Sequence, residues 1–168
     1  MVNTIEHTES DVWQLLSTVN DPEVPVLSIV DLGIVRNVSV HNAESITVTI
    51  TPTYSGCPAM DVISMQIRLV LLEYGFKEVK VEKVLSPAWT TDWMSESGKE
   101  KLKAYGIAPP LPKQTVCKPD EFQEEEAVQC PHCLSYNTRL ISRFGSTACK
   151  ALYQCQDCKE PFDYFKCH

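Results

Sequence analysis

The chain has no long apolar run. Nothing in its 168 residues approaches the roughly 20 consecutive apolar positions of a membrane span, and the opening MVNTIEHTESD is polar and acidic, without the apolar core of an export signal. A cytoplasmic protein outside the membrane is expected. Basic residues are in the minority, 15 lysines and arginines against 22 aspartates and glutamates, for a net charge of −7. That balance disfavours nucleic-acid binding, which needs cations to neutralise phosphates. Glycine is scarce at 6 residues, and none is grouped into a phosphate-cradling loop or a dinucleotide fingerprint. No Glu-x-x-His pair occurs either, which excludes a di-iron centre built on helices.

Cysteine, by contrast, is plentiful at 8 residues. In a chain without an export signal this points to metal rather than to a disulfide framework. Cys130 and Cys133 form one Cys-x-x-Cys pair, Cys155 and Cys158 another, with the 21-residue stretch 134–154 between them. Each short turn brings two sulfurs to one ion, so two such turns close a tetrahedral thiolate shell around structural zinc. The intervening gap slightly exceeds the usual spacing of such motifs. Strand-like runs flank Phe144-Gly145-Ser146, as the hairpin of a zinc ribbon would. So short a segment has little core of its own, and metal binding is expected to supply much of its folding free energy. Cys149, Cys167 and His168 are surplus ligands in or beside the module, which leaves an iron-sulfur cluster or a different ligand set open. His132, inside a knuckle, is expected to face solvent, and Cys117 to be incidental.

The N-terminal part reads as an α/β unit. Val12, Leu15, Leu16 and Val19 recur at helical spacing, with Ser10 or Thr8 as N-cap and Asp21-Pro22 as the stop. Ile34 to Val40 and Ser45 to Thr51 read as strands joined through His41–Glu44, the second with Ile46, Val48 and Ile50 on one face. Pro58 suits the first position of a helix that ends at Gly75, and KEVKVEKVL reads as a third strand. The order α-β-β-α-β predicts a small sheet with helices packed on one face. A further helix is expected over Ser95 to Tyr105, with Thr91 or Ser95 as cap. The proline-rich, acidic stretch that follows predicts a division into a domain at 1–107, a linker at 108–127 and the ribbon at 128–168.

Within TPTYSGCPAMD, residues 51–61, Cys57 stands where strand gives way to helix. The unpaired amides and dipole of a helix N-terminus favour an anion, so a lowered thiol pKa is expected there. Gly56 would let the backbone turn sharply, and Thr51, Thr53, Tyr54 and Ser55 offer hydroxyls. A small buried apolar role fits the position as well, since free cysteine is among the most buried residue types. Asp21 and Asp31 likewise fit as cap or turn residues.

DPEVPVLSIVDLGIVRNV, TPTYSGCPAMD and SPAWTTDWM, in that order, resemble the metal-sulfur cluster assembly domain family. PAWTTDWM, YGIAPP, FGSTACKALYQC and EPFDYFKC further resemble the PaaD-like group within that family, proteins of bacterial phenylacetyl-CoA epoxidase complexes that carry a C-terminal zinc ribbon. The resemblance implies a functional thiol at Cys57, with Asp21, Glu23 and Asp31 in the family's acidic motifs; Thr51 and Gly56 beside the thiol complete the expected supporting site. It implies an accessory protein that assembles or inserts iron, or an iron-sulfur cluster held transiently, into the epoxidase of aerobic phenylacetate degradation. The oxygenase or reductase components would be its partners, with no catalysis by this chain itself. A homodimer is left open. The alternatives are a thiol-dependent enzyme or persulfide carrier using Cys57, and a structural component of the complex. The first of these needs a base, and the histidine nearest in sequence, His41, sits in a turn. A nucleic-acid-binding ribbon would require salt-sensitive DNA binding.

Overall fold

The computed structural model describes residues 8–111 and 127–166. Two compact units divide between Trp89 and Thr90.

The first unit is the α/β sandwich. Helix α1 (Glu9–Leu16) starts at a reciprocal capping box: Thr8 Oγ1 accepts from the Asp11 amide, and the Asp11 carboxylate accepts from the Thr8 amide, each at 3.2 Å. Its end comes earlier than Asp21-Pro22. Ser17 and Thr18 turn their hydroxyls back onto the carbonyls of Gln14 and Leu15, competing with the helix ladder. Strands β1 (Val35–Val40) and β2 (Ser45–Ile50) pair antiparallel, and β3 (Glu78–Lys83) joins β2 in parallel. A parallel neighbour needs a crossover. Helix α2 (Ala59–Tyr74) supplies it, with Pro58 as N-cap, one position before the helix proper, and Gly75 ending it at φ +122°. Ala59, Ile63, Ile67 and Leu71 recur every fourth residue and give α2 a buried face, and Ile46, Val48 and Ile50 are the buried face of β2.

The second unit is built on a four-stranded sheet of β4 (Ile107–Ala108), β7 (Pro161–Phe165), β6 (Lys150–Cys155) and β5 (Thr138–Ser142), in that order. Helix α3 (Glu96–Tyr105) is capped by Ser95, whose Oγ accepts from the Gly98 amide at 2.9 Å, and ends at Gly106 with φ +89°. Strand β4 (Ile107–Ala108) follows at once and pairs in parallel with β7 (Pro161–Phe165). The expected hairpin is β5 (Thr138–Ser142) and β6 (Lys150–Cys155). Ala108 and Val128 are buried in the ribbon core with Tyr153, Phe162 and Tyr164. The described chain therefore changes unit at Trp89, ahead of the expected boundary at 107, because the residues after α3 pair with the ribbon. Most of the proline-rich stretch, including Cys117, lies outside the described residues.

Candidate metal centre and thiol site

Two loops build the metal centre. After Cys130 the chain turns through Pro131 and His132 to Cys133, and Leu134 then takes φ +64°; after Cys155 it turns through Gln156 and Asp157 to Cys158, and Lys159 takes φ +67°. The left-handed residue folds each loop back on itself. Cys130 N–H donates to Ser135 O at 2.8 Å, and Cys155 N–H to Glu160 O at 3.0 Å. The loops are equivalent by position and by hydrogen bonding. A clasp joins them: the Asp157 carboxylate accepts from the Ser135 hydroxyl and, at 2.7 Å, from Asn137 Nδ2. These two donors hold the Asp157 carboxyl below its ordinary range.

The four sulfurs lie within 4.8 Å of one another, with Cys133 and Cys155 at 3.5 Å and Cys130 and Cys158 at 3.8 Å. Sulfur ligands about 2.3 Å from a tetrahedral zinc ion stand about 3.8 Å apart, so the cluster fits a four-thiolate shell. As thiols they compete for charge. Burial opposes ionising Cys155, but the amides of Cys158 and Asp157 and the thiols of Cys133 and Cys158 bring it down to about 7. At Cys158 the Glu160 amide favours the thiolate; burial and the other three sulfurs outweigh it and push the thiol up to about 12. A thiophilic cation converts this repulsion into attraction. Cys149 is not in the cluster; it is buried beside Thr147 Oγ1, 3.0 Å from its sulfur. Cys167 and His168 lie outside the described residues. His132 is exposed, as expected.

The second site lies at the entrance to α2. Gly56 adopts φ +86°, which a side chain would strain, and this turn delivers Cys57 to the residue before Pro58. The Cys57 carbonyl accepts from Met60 N–H at 3.3 Å. Its thiol is half-buried, and its pKa is raised, against the expectation from the helix terminus. Burial is the main cause, and the carboxylates of Glu23 and Asp21 add to it; the Ala59 amide and the Tyr54 hydroxyl pull the other way without prevailing. Asp21 accepts from the amides of Glu23 and Val24 at 2.8 and 2.9 Å, which orders the DPEV turn. Asp31 instead closes its own turn, accepting from Ser28 Oγ at 2.9 Å and Ser28 N–H at 3.2 Å. Thr51 is buried, and its hydroxyl has no hydrogen-bond partner among the described residues. His41 is engaged elsewhere, its Nε2 2.9 Å from Thr47 Oγ1.

The first unit thus carries a thiol at the entrance to a helix of an α/β sandwich, and the second a ribbon whose four clustered cysteines could hold a metal ion. Residues 9–85 match the family model described as iron-sulfur cluster assembly protein, and residues 114–166 match that described as PaaD zinc beta ribbon domain. The chain is 52% identical over 157 residues to an Escherichia coli K12 protein named as a putative subunit of 1,2-phenylacetyl-CoA epoxidase, covering 94% of this chain and 92% of that one. It belongs to the same family, that of the PaaD proteins. It is also 40% identical over 103 residues to an Fe-S protein maturation auxiliary factor of Porphyromonas gingivalis, covering 61% of this chain and 97% of that one. A crystal structure of a domain of unknown function, DUF59, from Bacillus anthracis is similar at a TM-score of 0.53 and 31% identity, over 56% of this chain and 90% of that one. Among the described residues no helix is long and apolar enough to cross a membrane.

Proposed function

We propose that the protein is a non-catalytic maturation factor for the phenylacetyl-CoA epoxidase. It assembles or inserts iron, or an iron-sulfur cluster, into an oxygenase or reductase component, and Cys57 holds the cargo in transit. The observation that carries this reading is the electrostatic setting of Cys57. A nucleophilic thiol needs neighbours that favour the thiolate or a base to take its proton. At Cys57 burial first, and then the carboxylates of Glu23 and Asp21, raise the thiol pKa. Such a site disfavours a bare thiolate and attracts a cation. Binding an iron ion displaces the thiol proton to water and leaves a metal–thiolate bond compensated by the nearby negative charge. Raising the proton's affinity also makes release easier: reprotonation helps return the thiol once a client offers a fuller ligand set. Tyr54, as a hydrogen-bond donor to the sulfur, orients it.

The match over residues 9–85 and the maturation factors among the relatives support an assembly role. In this reading the ribbon holds zinc as a structural ion, since a closed four-sulfur shell leaves no open position for chemistry, and it docks the protein on its client. The test uses the epoxidase itself. Components produced without this chain, or with Cys57→Ser, should be metal-deficient and weakly active, while components matured beforehand should turn over phenylacetyl-CoA without it. If fully metallated components still need this chain in stoichiometric amount at every turnover, it is a working part of the enzyme and the maturation reading fails.

A further inference from the structure

Helix α2 is apolar on two opposite faces. One is buried on the sheet. The other presents Val62, Met65, Leu69 and Leu72 to solvent, exposed by 40%, 56%, 51% and 47%. Their 3-4-3 spacing is that of a coiled-coil seam, with Val62 and Leu69 in one core position and Met65 and Leu72 in the other. Arg68 and Glu73 then flank the seam at the two positions that pair across a parallel helix dimer. Both are exposed, and neither has an ion-pair partner among the described residues, whereas Asp61 on the same helix is held by Lys83 at 2.5 Å.

We propose that this face of α2 binds a second copy of the chain. Two α2 helices lie parallel about a two-fold axis, with Val62, Met65, Leu69 and Leu72 packed against their counterparts and Arg68 of each copy against Glu73 of the other. Charge selects the orientation. In an antiparallel pair with Val62 against Leu72, the two Arg68 side chains would face each other, and like charges at that range repel. The parallel arrangement gives two symmetric attractive pairs instead. It also brings both Cys57 residues to the same end of the interface, whereas an antiparallel pair of these 16-residue helices would place them beyond opposite ends of a helix about 24 Å long.

The seam limits the strength. Four half-exposed aliphatic side chains offer on the order of 400 Å² per copy, a size typical of interaction patches but below the area of a permanent dimer. Association should be reversible, with a dissociation constant on the order of tens of micromolar or weaker.

Sedimentation of the purified full chain over a range of concentrations tests this. The wild type should pass from monomer to dimer, and Leu69→Glu should remain monomeric. Arg68→Glu and Glu73→Arg should each weaken the dimer about tenfold, and the two combined should restore it. All three positions are exposed, so circular dichroism should show an unchanged fold. A wild type that stays monomeric at millimolar concentration overturns the proposal, as does a dimer indifferent to Leu69→Glu. A double reversal that fails to rescue rejects the parallel pairing. A chain that stays monomeric but loses affinity for purified epoxidase components through Leu69→Glu assigns the face to a client and likewise overturns it.

Discussion

Replacing Gly145 by alanine perturbs the ribbon at one atom whose surroundings are fully defined. Gly145 closes the β5–β6 hairpin, its N–H bonded to Lys150 O at 2.8 Å. A Cβ there would overlap Asp163 Oδ1 and would lie 3.2 Å from Lys150 Cβ and 3.3 Å from the Ala151 carbonyl carbon. The overlap is untenable, and the other two contacts leave little room to rotate away. Asp163 must therefore move, yet its carboxylate holds Ser146 through Oγ at 2.7 Å and through N–H at 3.4 Å. Overpacking of this kind costs about 1–3 kcal/mol, and loss of an exposed charge-assisted hydrogen bond adds about 1 kcal/mol. A net loss of about 2–3 kcal/mol would raise the open population of the ribbon roughly 30- to 150-fold. Release of the metal to a chelator in excess reads that population directly, because four thiolates held by two loops separate when the ribbon opens. Asp163→Ala should remove most of the clash, so Gly145→Ala should cost much less in that background. A release rate changed less than twofold by Gly145→Ala, or an equal penalty in both backgrounds, would refute the reasoning.

Cys130→Ser combined with Cys155→Ser should abolish metal content and unfold the ribbon while the unit ending at Trp89 stays folded, as metal analysis and limited proteolysis would report. Undiminished zinc would reject the ligand assignment. Asp157→Ala cuts the clasp between the loops and should weaken metal retention about 10-fold, in line with other groups that orient ligands, without changing the number of ions bound. Iron(II) binding at Cys57 should strengthen by up to about tenfold for each unit that the pH rises towards the thiol pKa, since one proton leaves as the metal binds. The same raised pKa stabilises the fold at pH values below that of the unfolded thiol, and this contribution fades as pH rises through the folded value. An anaerobic iron titration and a denaturation series across pH would check the two signs.

The legible features were those that act over a few residues. Gly75 and Gly106 end helices because each takes a positive φ, Ser95 caps α3 through its own hydroxyl, and the alternation in SITVTIT gives β2 its buried face. The two Cys-x-x-Cys turns announced four ligands from spacing alone. Strand β7 was less legible. PFDYF carries an alternating signal, but the metal motif beside it dominates that stretch, and β4 is only two residues long. Short strands are defined by the neighbour they pair with rather than by their own composition.

At Cys57 the sequence determined position but not charge. The order Gly-Cys-Pro sets a thiol at a helix entrance, and local reasoning from the helix dipole predicts an acidic one. Burial, Glu23 and Asp21 reverse that sign, and those carboxylates stand more than thirty residues earlier in the chain. Coulomb and desolvation effects depend on distance in space, which only the folded packing of the DPEV turn near α2 supplies. The same holds for the metal centre: two pairs of sulfurs are written in the chain, and the antiparallel pairing of β5 with β6 brings the pairs within 4.8 Å. It holds again for the division at Trp89, where pairing of Ile107–Ala108 with β7 decides which unit the chain after α3 joins. Spacing along the chain fixed which groups are available; tertiary contacts decided which of them meet.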